Sequence, residues 1–207
     1  MTKFSTDQEK FWAGEFGDEY AARNKGDKFI ANQVHYFSKI LEHTTKVKSV
    51  LEYGANIGEN LKAIKQLIPD ASFYAVEINK SAAKEIRNWR EGKAKVFTES
   101  IFDFKVDKKR DFVFVKGVLI HLNPEKLPEA YAKLYKASSK YICIGEYYNP
   151  SPTTIEYRGN KDRLFKRDFC SEIMRKYPDL KLISYGFAYH GDQNFPQDDI
   201  TWFLLEK

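Results

Sequence analysis

Short apolar runs alternate with amphipathic stretches between residues 47 and 146, and this alternation restricts the chain to few folds. The apolar runs are predicted strands at residues 47–53, 72–77, 94–98, 111–116 and 141–146. Most of the stretches between them are predicted helices. Because parallel strands are joined by crossovers of this kind, the pattern predicts an α/β fold with a parallel sheet.

The predicted helices carry start and stop signals of their own. One predicted helix covers residues 58–68 and ends at Pro69, and another follows Pro124. Between them, residues 82–90 are predicted as a helix that Ser81 is expected to cap. The first of these helices carries its apolar residues on one face, which is typical of a helix packed against a sheet.

The two ends of the chain depart from the alternation. Residues 180–188 and 199–206 are strand-like runs with no helix between them, so an antiparallel pair is expected. Residues 1–46 are predicted to form a helical N-terminal lid. We therefore expect a single domain over residues 1–207, in which a core at 47–207 holds a seven-stranded, mostly parallel sheet with an antiparallel C-terminal hairpin.

Charge and cysteine content argue against several classes of protein. Lysine and arginine number 34 against 29 acidic residues, a net charge of +5, and no run of like charges marks a nucleic-acid arm. Cys143 and Cys170 lack metal-ligand spacing. The first residues lack a signal region, and no apolar run reaches membrane-spanning length. We expect a cytoplasmic protein with no metal, no nucleic-acid partner and no membrane association, and the oligomeric state stays open.

A glycine-containing turn follows the first predicted strand. Gly54 and Gly58 let the backbone bend sharply and approach a ligand closely, with Ala55 and Asn56 between them. Together with Glu52 they resemble the acidic-x-Gly-x-Gly-x-Gly motif of class I S-adenosylmethionine (SAM) enzymes, with asparagine in place of the middle glycine. Asparagine tolerates positive φ better than most other residues that carry a side chain. The turn is therefore a predicted cofactor site.

A nicotinamide dinucleotide site is the main alternative for such a turn. That site needs Gly-x-Gly-x-x-Gly, because a pyrophosphate must lie against the helix N-terminus. The spacing here differs, and the Glu52 carboxylate would repel a pyrophosphate but attract the amino group of a methionine moiety. The turn therefore favours SAM over a dinucleotide.

The ends of the next three strands complete the predicted cofactor site. Glu77 closes the second strand, where its carboxylate is able to accept two hydrogen bonds from ribose hydroxyls. Ile78 follows Glu77 and belongs to the same predicted site. After the third strand, Ser100 and Ile101 are expected to flank the adenine. After the fourth strand, Lys116 and Gly117 are expected to contact the methionine part.

The whole chain resembles the pseudaminic acid biosynthesis-associated methylases, presumed SAM enzymes linked to bacterial surface-sugar pathways. The stretches that carry the resemblance are residues 6–17, 20–24, 52–58, 146–152, 157–159 and 164–169. The resemblance implies a Rossmann-like class I methyltransferase fold, SAM as the cofactor, and an acceptor drawn from surface-glycan biosynthesis.

The acceptor is expected beyond the carboxyl end of the fifth strand, where ligands of open α/β sheets bind. A loop of about twenty residues follows that strand, with two prolines and no hydrophobic periodicity, and loops of this length are usually functional. Its aromatic and basic side chains suit an acidic, hydroxyl-rich small molecule such as a sugar acid or sugar nucleotide. The predicted acceptor contacts are Tyr147, Tyr148, Tyr157, Arg158, Lys166 and Arg167.

Methyl transfer to an alcohol needs a base as well as positioning. His121 is the first candidate because its ordinary pKa lies near neutrality, His190 is the second, and Glu146 is the third. In the predicted lid, Arg23 is expected to pair with the cofactor carboxylate and Tyr20 to cover the cofactor.

Two other functions remain open at this point. The chain could be a protein or peptide methyltransferase, which the width of the acceptor cleft would decide. It could also be a non-catalytic binding module with a methyltransferase fold. A DNA acceptor is disfavoured, because Asn149-Pro-Ser-Pro152 follows the fifth strand, whereas the Asn-Pro-Pro-Tyr motif of DNA amino-methyltransferases follows the fourth.

Overall fold

Nine strands and seven α-helices make up the regular structure in a computed structural model, which describes residues 4–23 and 26–207. The strands are β1 (Ser49–Tyr53), β2 (Ser72–Val76), β3 (Lys95–Phe97), β4 (Arg110–Lys116), β5 (Ser138–Glu146), β6 (Thr153–Tyr157), β7 (Asn160–Lys166), β8 (Lys181–Ala188) and β9 (Ile200–Glu206). The helices are α1 (Asp7–Ala13), α2 (Glu15–Arg23), α3 (Asp27–Leu41), α4 (Glu59–Leu67), α5 (Lys80–Asn88), α6 (Leu127–Ala137) and α7 (Phe169–Lys176). Short 3₁₀ helices cover Leu119–His121 and Pro124–Lys126.

Seven strands form one sheet in the order β3-β2-β1-β4-β5-β9-β8. The pairs among β1 to β5 are parallel, whereas β9 runs antiparallel to both β5 and β8. This arrangement confirms the predicted Rossmann-like α/β fold with an antiparallel C-terminal hairpin. The strand order reverses between β1 and β4, so the chain has a topological switch point there.

The sheet is buried on both faces, as a parallel sheet with helices on either side must be. Leu51 of β1 packs into the core that α6 and α7 cover, and Val50, its neighbour, packs into the core that α3, α4 and α5 cover. Both side chains are fully buried. The two cores hold the strand ends in place around the switch point.

Two local predictions were wrong. Ser81 lies inside α5, and Asn79 caps that helix because its side chain accepts a hydrogen bond from the Ala82 N–H at 2.9 Å. The segment after β5, expected to lack regular structure, forms the antiparallel hairpin β6–β7. β6 is exposed at nearly every residue, and the two buried residues of β7, Leu164 and Phe165, are adjacent, so hydrophobic alternation could not reveal the hairpin. Helix α7, which follows the hairpin, was not predicted.

Candidate active site

A cavity lies at the carboxyl ends of β1, β2 and β4, at the switch point of the sheet. Parallel strands deliver their carboxyl ends to one edge, so side chains far apart in sequence meet there. The predicted residues that the structure brings together in the cavity wall are Tyr20, Gly54, Ala55, Asn56, Glu77, Ile78, Ser100, Ile101, Lys116, Gly117 and His121. The side chain of Arg23 lies outside the described part of the structure.

The turn after β1 has the backbone that the sequence predicts. Gly54, Asn56 and Gly58 all have positive φ, at 71°, 48° and 81°. A Cβ atom on Gly54 would lie 2.6 Å from Val118 Cγ2, so glycine is required there for space as well as for conformation. Gly58 is the N-cap residue of α4 and has no side chain to cap the helix. A Cβ atom at Gly58 would face Ile86.

Glu77 follows β2 and lies in the cavity wall, 7% exposed. One carboxylate oxygen accepts the N–H of Asn56 at 2.7 Å, and the other accepts the N–H of Asn79 at 2.7 Å. Burial raises the pKa of Glu77 to about 7, although these N–H donors oppose the shift. Each oxygen has further lone-pair capacity, so the oriented carboxylate is able to accept hydrogen bonds from a pair of hydroxyls.

Glu52 lies beneath the cavity wall. Its side chain is fully buried, and one oxygen accepts a hydrogen bond from Asn60 Nδ2 at 2.6 Å. The other oxygen accepts no hydrogen bond from the described residues. Burial raises the pKa of this carboxyl well above its usual value. Asn60, not Glu52, lines the cavity, so Glu52 reaches it only through Asn60.

Helix α1 closes one side of the cavity through residues that sequence reasoning missed. Glu9 is 5% exposed, and its carboxylate accepts a hydrogen bond from the hydroxyl of Ser100. Burial would raise the pKa of Glu9, but hydrogen bonds from Ser100, Ser5 and Thr6 hold it below its usual value. The capping box of Thr6 and Glu9 was a visible sequence signal for the helix start, although not for the contact with Ser100.

Aromatic side chains of the same helix lie over the cavity. Trp12 lines it, with ring centroids 5.3 Å from Tyr20 and 4.6 Å from His121. Gly17 in α2 allows a close approach, because a Cβ atom there would lie 2.0 Å from the Trp12 carbonyl oxygen. The Asn79 side chain, which caps α5, also donates to Asp18 at 2.9 Å. These contacts join the N-terminal helices to the edge of the sheet.

His121 ends the first 3₁₀ helix and lines the cavity. Its Nδ1 lies 2.6 Å from the carbonyl oxygen of Arg163, and its ring lies 4.9 Å from that of Tyr157. Burial lowers its pKa to about 4, although the bond to Arg163 opposes the shift. The imidazole is therefore neutral at pH 7. Because a carbonyl only accepts, Nδ1 carries the proton and Nε2 carries the free lone pair.

Glu146, the third base candidate, supports the backbone and does not line the cavity. It is 2% exposed, and one of its oxygens accepts the N–H groups of Val118 and Leu119, both at 2.9 Å. The other oxygen accepts the Ile120 N–H at 3.4 Å. Burial raises its pKa to about 7, against the effect of these donors. The carboxylate fixes the segment that positions His121.

The predicted acceptor residues are spread over the β6–β7 hairpin and the strand before it. The Tyr157 ring lies tilted against His121, and Lys166 Nζ lies 5.3 Å from the centroid of the Tyr147 ring. None of the six residues is part of the cavity wall. Tyr148 is 42% exposed, Arg158 lies at the exposed hairpin turn, and Arg167 forms an ion pair with Glu172 at 2.8 Å.

The second base candidate lies apart from the cavity. His190 is exposed in the loop before β9, and its Nδ1 lies 2.8 Å from a carboxylate oxygen of Asp199. It is not part of the cavity wall. The structure therefore does not bring His190 together with His121.

Within the described ranges, no three His, Cys, Asp or Glu side chains are grouped closely enough to hold a metal ion. No helix in those ranges has both the length and the apolar character needed to cross a membrane.

Comparisons with known proteins show similarity in structure only. No family model matches the sequence, and no curated protein matches it. The structure is similar to magnesium protoporphyrin IX methyltransferase from Synechocystis PCC 6803 with bound SAM, at 13% identity over 100% of both chains and a TM-score of 0.69.

Two further solved structures have the same architecture. Burkholderia thailandensis 1,6-didemethyltoxoflavin-N1-methyltransferase, with bound 1,6-didemethyltoxoflavin and S-adenosylhomocysteine (SAH), is 12% identical over 93% of this chain and 82% of its own, with a TM-score of 0.68. The plantazolicin methyltransferase in complex with SAH is 13% identical over 97% of this chain and 93% of its own, with a TM-score of 0.66. The chain therefore has the Rossmann-like fold of class I SAM-dependent methyltransferases.

Proposed function

We propose that the chain is a SAM-dependent methyltransferase that acts on a small-molecule acceptor. The observation that carries this proposal is the Glu77 carboxylate, which two backbone N–H groups orient in the wall of the switch-point cavity. A carboxylate at this position suits the hydroxyl pair of a ribose, and the turn from Gly54 to Gly58 lacks the Gly-x-Gly-x-x-Gly spacing of a pyrophosphate site. Structural neighbours that carry SAM or SAH support the same cofactor.

The cavity residues match the parts of such a cofactor in order along the sheet. Glu77 would hold the ribose, and Ser100 with Ile101 would flank the adenine. The turn at Gly54 and the backbone at Gly117 would meet the methionine part. When bound, SAM supplies a methyl group on a sulfonium, so the protein contributes mainly the position of the acceptor.

His121 is the base that this proposal favours. It lines the cavity, whereas Glu146 and His190 do not. Its Nδ1 donates to the Arg163 carbonyl, which leaves the Nε2 lone pair free to accept the proton of an acceptor hydroxyl. With a pKa of about 4 it is a weaker base than an ordinary histidine, but it is neutral throughout the physiological pH range.

The proposal also includes a lid over the cavity and a class of acceptor. We propose that helices α1 and α2 serve as a lid within a single domain, because Glu9, Trp12 and Tyr20 form part of the cavity wall. For the acceptor we propose an acidic sugar or sugar nucleotide of bacterial surface-glycan, pseudaminic acid-type, biosynthesis. Sequence resemblance supports this choice, as do the basic side chains Arg158 and Lys166 on the hairpin.

Titration calorimetry with purified protein tests the cofactor. We expect the wild type to bind SAH and to give no heat with NAD. Glu77→Gln keeps the shape of the side chain but removes the charge, so SAH affinity should fall at least roughly tenfold. Glu85→Gln, on the exposed face of α5, is the matched control and should bind like the wild type. Binding of NAD in place of SAH would overturn the proposal.

A further inference from the structure

A cluster of buried polar side chains lies beside the cavity, at the end of β4. It consists of Gln33 and Tyr36 from α3, Lys116 from β4 and Gln197 from the loop before β9. Gln33, Tyr36 and Gln197 are 1%, 2% and 8% exposed. Lys116 is the member of the cluster that also lines the cavity, so the cluster is continuous with it.

Lys116 is a cation without an ion-pair partner in the described part of the chain. Its Nζ donates to the side-chain oxygen of Gln197 at 3.1 Å and lies 5.1 Å from the centroid of the Tyr36 ring. Burial lowers the pKa of Lys116, although the charges of Asp198, Glu52 and Glu146 oppose the shift. Burying a cation away from water costs free energy unless a nearby anion neutralises its charge.

The other members of the cluster present unused hydrogen-bonding atoms. Because lysine only donates, the oxygen of Gln197 must face Lys116, and Gln197 Nε2 is then a buried donor with no partner among the described residues. The hydroxyl of Tyr36 and Oε1 of Gln33 are likewise buried and unpartnered there. Buried polar atoms in proteins are nearly always satisfied, so three unsatisfied atoms on the side chains grouped around Lys116 favour a polar ligand at this place.

The β5 strand is adapted to this cluster. Gly145 lies beside Tyr36, and a Cβ atom at that position would lie 2.3 Å from the Tyr36 hydroxyl. A glycine in the middle of a strand weakens it and often marks a close approach. The sequence thus keeps room for the phenol at the point where it joins the cluster.

We propose that this cluster binds the carboxylate of the methyl acceptor and a hydroxyl next to it, so that the acceptor is a small hydroxy acid. Lys116, Gln197 Nε2 and the Tyr36 hydroxyl supply three donors for the carboxylate, and Gln33 Oε1 supplies an acceptor for the hydroxyl. The inference rests on the proposed function. It assigns the recognition of the acidic group to a buried site in place of the exposed hairpin arginine.

Lys116 and His121 both line the cavity from one short segment of the chain, together with Gly117 and Val118. An acceptor anchored there would therefore present its other hydroxyls toward the favoured base. The methionine carboxylate of the cofactor is the other possible source of the same chemistry, and the experiment separates the two.

The test uses D-glucuronate as the hydroxy-acid probe and D-glucose as its neutral counterpart, each titrated into the SAH complex. We expect the wild type to bind glucuronate and not glucose. Lys116→Met and Gln197→Leu should each weaken glucuronate binding at least roughly tenfold, and Gln197→Leu should leave SAH affinity unchanged. Lys181→Met, at an exposed lysine of β8, is the matched control and should bind glucuronate like the wild type.

Thermal unfolding supplies a readout that a purely structural role would not give. Removal of a buried cation that has no ion-pair partner among the described residues should leave the apo protein as stable as the wild type or more stable, so Lys116→Met should melt at the same or a higher temperature. A large loss of stability in this variant would mean that Lys116 only supports the fold, and would overturn the proposal.

Three other outcomes would also overturn it. The wild-type SAH complex could fail to bind glucuronate, or the variants could bind it normally. In the third outcome, Lys116→Met would weaken the binding of SAH but not that of 5′-methylthioadenosine, a nucleoside that lacks the methionine carboxylate. This result would mean that the cluster binds the cofactor and not the acceptor. If the wild type bound neither nucleoside, the proposed function itself would fail.

Discussion

The hydroxyl of Ser100 donates a hydrogen bond to the carboxylate of Glu9, 91 residues earlier in the chain. Both side chains are buried in the cavity wall, so this bond fastens α1 over the predicted adenine site. Ser100 Oγ also accepts the Phe102 N–H at 3.1 Å, which fixes the loop after β3. The N-terminal helix and the nucleotide loop are thus one connected wall.

Ser100→Ala should therefore weaken SAH binding, because the variant loses a charge-assisted bond that holds the wall closed. Such bonds contribute about 2 kcal/mol, so we expect a loss of affinity of roughly tenfold or more, mainly as faster dissociation. Stopped-flow displacement of SAH measures the rate. Ser139→Ala is the control, since Ser139 donates to Asp111 on the exposed surface. Equal dissociation rates in the two variants would contradict the predicted role of this bond.

Asn56 should tolerate glycine and reject a β-branched residue. Its φ of 48° lies in the left-handed region, which costs a branched side chain about 1 to 2 kcal/mol. Asn56→Val should lower the free energy of unfolding by about that amount and weaken SAH binding, whereas Asn56→Gly should stay close to the wild type. Chemical denaturation measures the stabilities. A valine variant as stable as the wild type would show that the turn is relaxed in solution.

His121 should make the fold sensitive to acid. Its folded pKa of about 4 lies below the ordinary 6.5, so burial favours the neutral ring. The resulting stability is complete above pH 6.5 and disappears as the pH falls through 4, a loss of roughly 2 to 3 kcal/mol between pH 7.5 and 4.5.

His121→Asn should remove this dependence, and His43→Asn, at a surface histidine, should not. Urea unfolding of each protein at pH 7.5 and pH 4.5 gives the comparison, with the change in the wild type as the reference. Glu77 and Glu146, whose folded pKa values are raised, contribute with the opposite sign in both proteins, so the difference between the two proteins reports His121. If acidification changed the stability of His121→Asn and of the wild type by the same amount, the ring would be solvated rather than buried.

Glu146 should prove to be a backbone support and not a base. Glu146→Ala leaves the N–H groups of Val118 and Leu119 without their acceptor, which should cost about 3 kcal/mol of stability. Glu146→Gln keeps one oxygen for both donors and should cost only about 1 kcal/mol. Thermal denaturation of both variants measures the difference. Equal losses, or none, would contradict the assigned hydrogen bonds.

The residues that could be predicted from sequence belong to short, local structures. The turn from Gly54 to Gly58 is specified within one strand–helix connection, and Glu77 takes its place from the strand that ends beside it. Conformational demands of this kind show in the identities of neighbouring residues. The parallel sheet follows in the same way from the alternation of strands and helices.

The residues that could not be predicted depend on contacts between distant segments. Gln33 meets Gln197 at a separation of 164 positions, and Glu9 meets Ser100 at 91, so no local pattern connects either pair. The hairpin was missed for a different reason. Its turn is marked by Gly159, but β6 faces solvent at nearly every residue and β7 buries the adjacent pair Leu164 and Phe165, so neither strand shows alternation.

The central claim is that Glu77 holds the ribose of a sulfonium nucleoside. A crystal structure of the SAH complex tests it most directly. We predict that the 2′- and 3′-hydroxyls of the ribose lie within about 3 Å of the two Glu77 oxygens, with the adenine beside Ile101. Nucleoside density at another place in the protein, or an empty cavity in crystals grown with millimolar SAH, would contradict the claim.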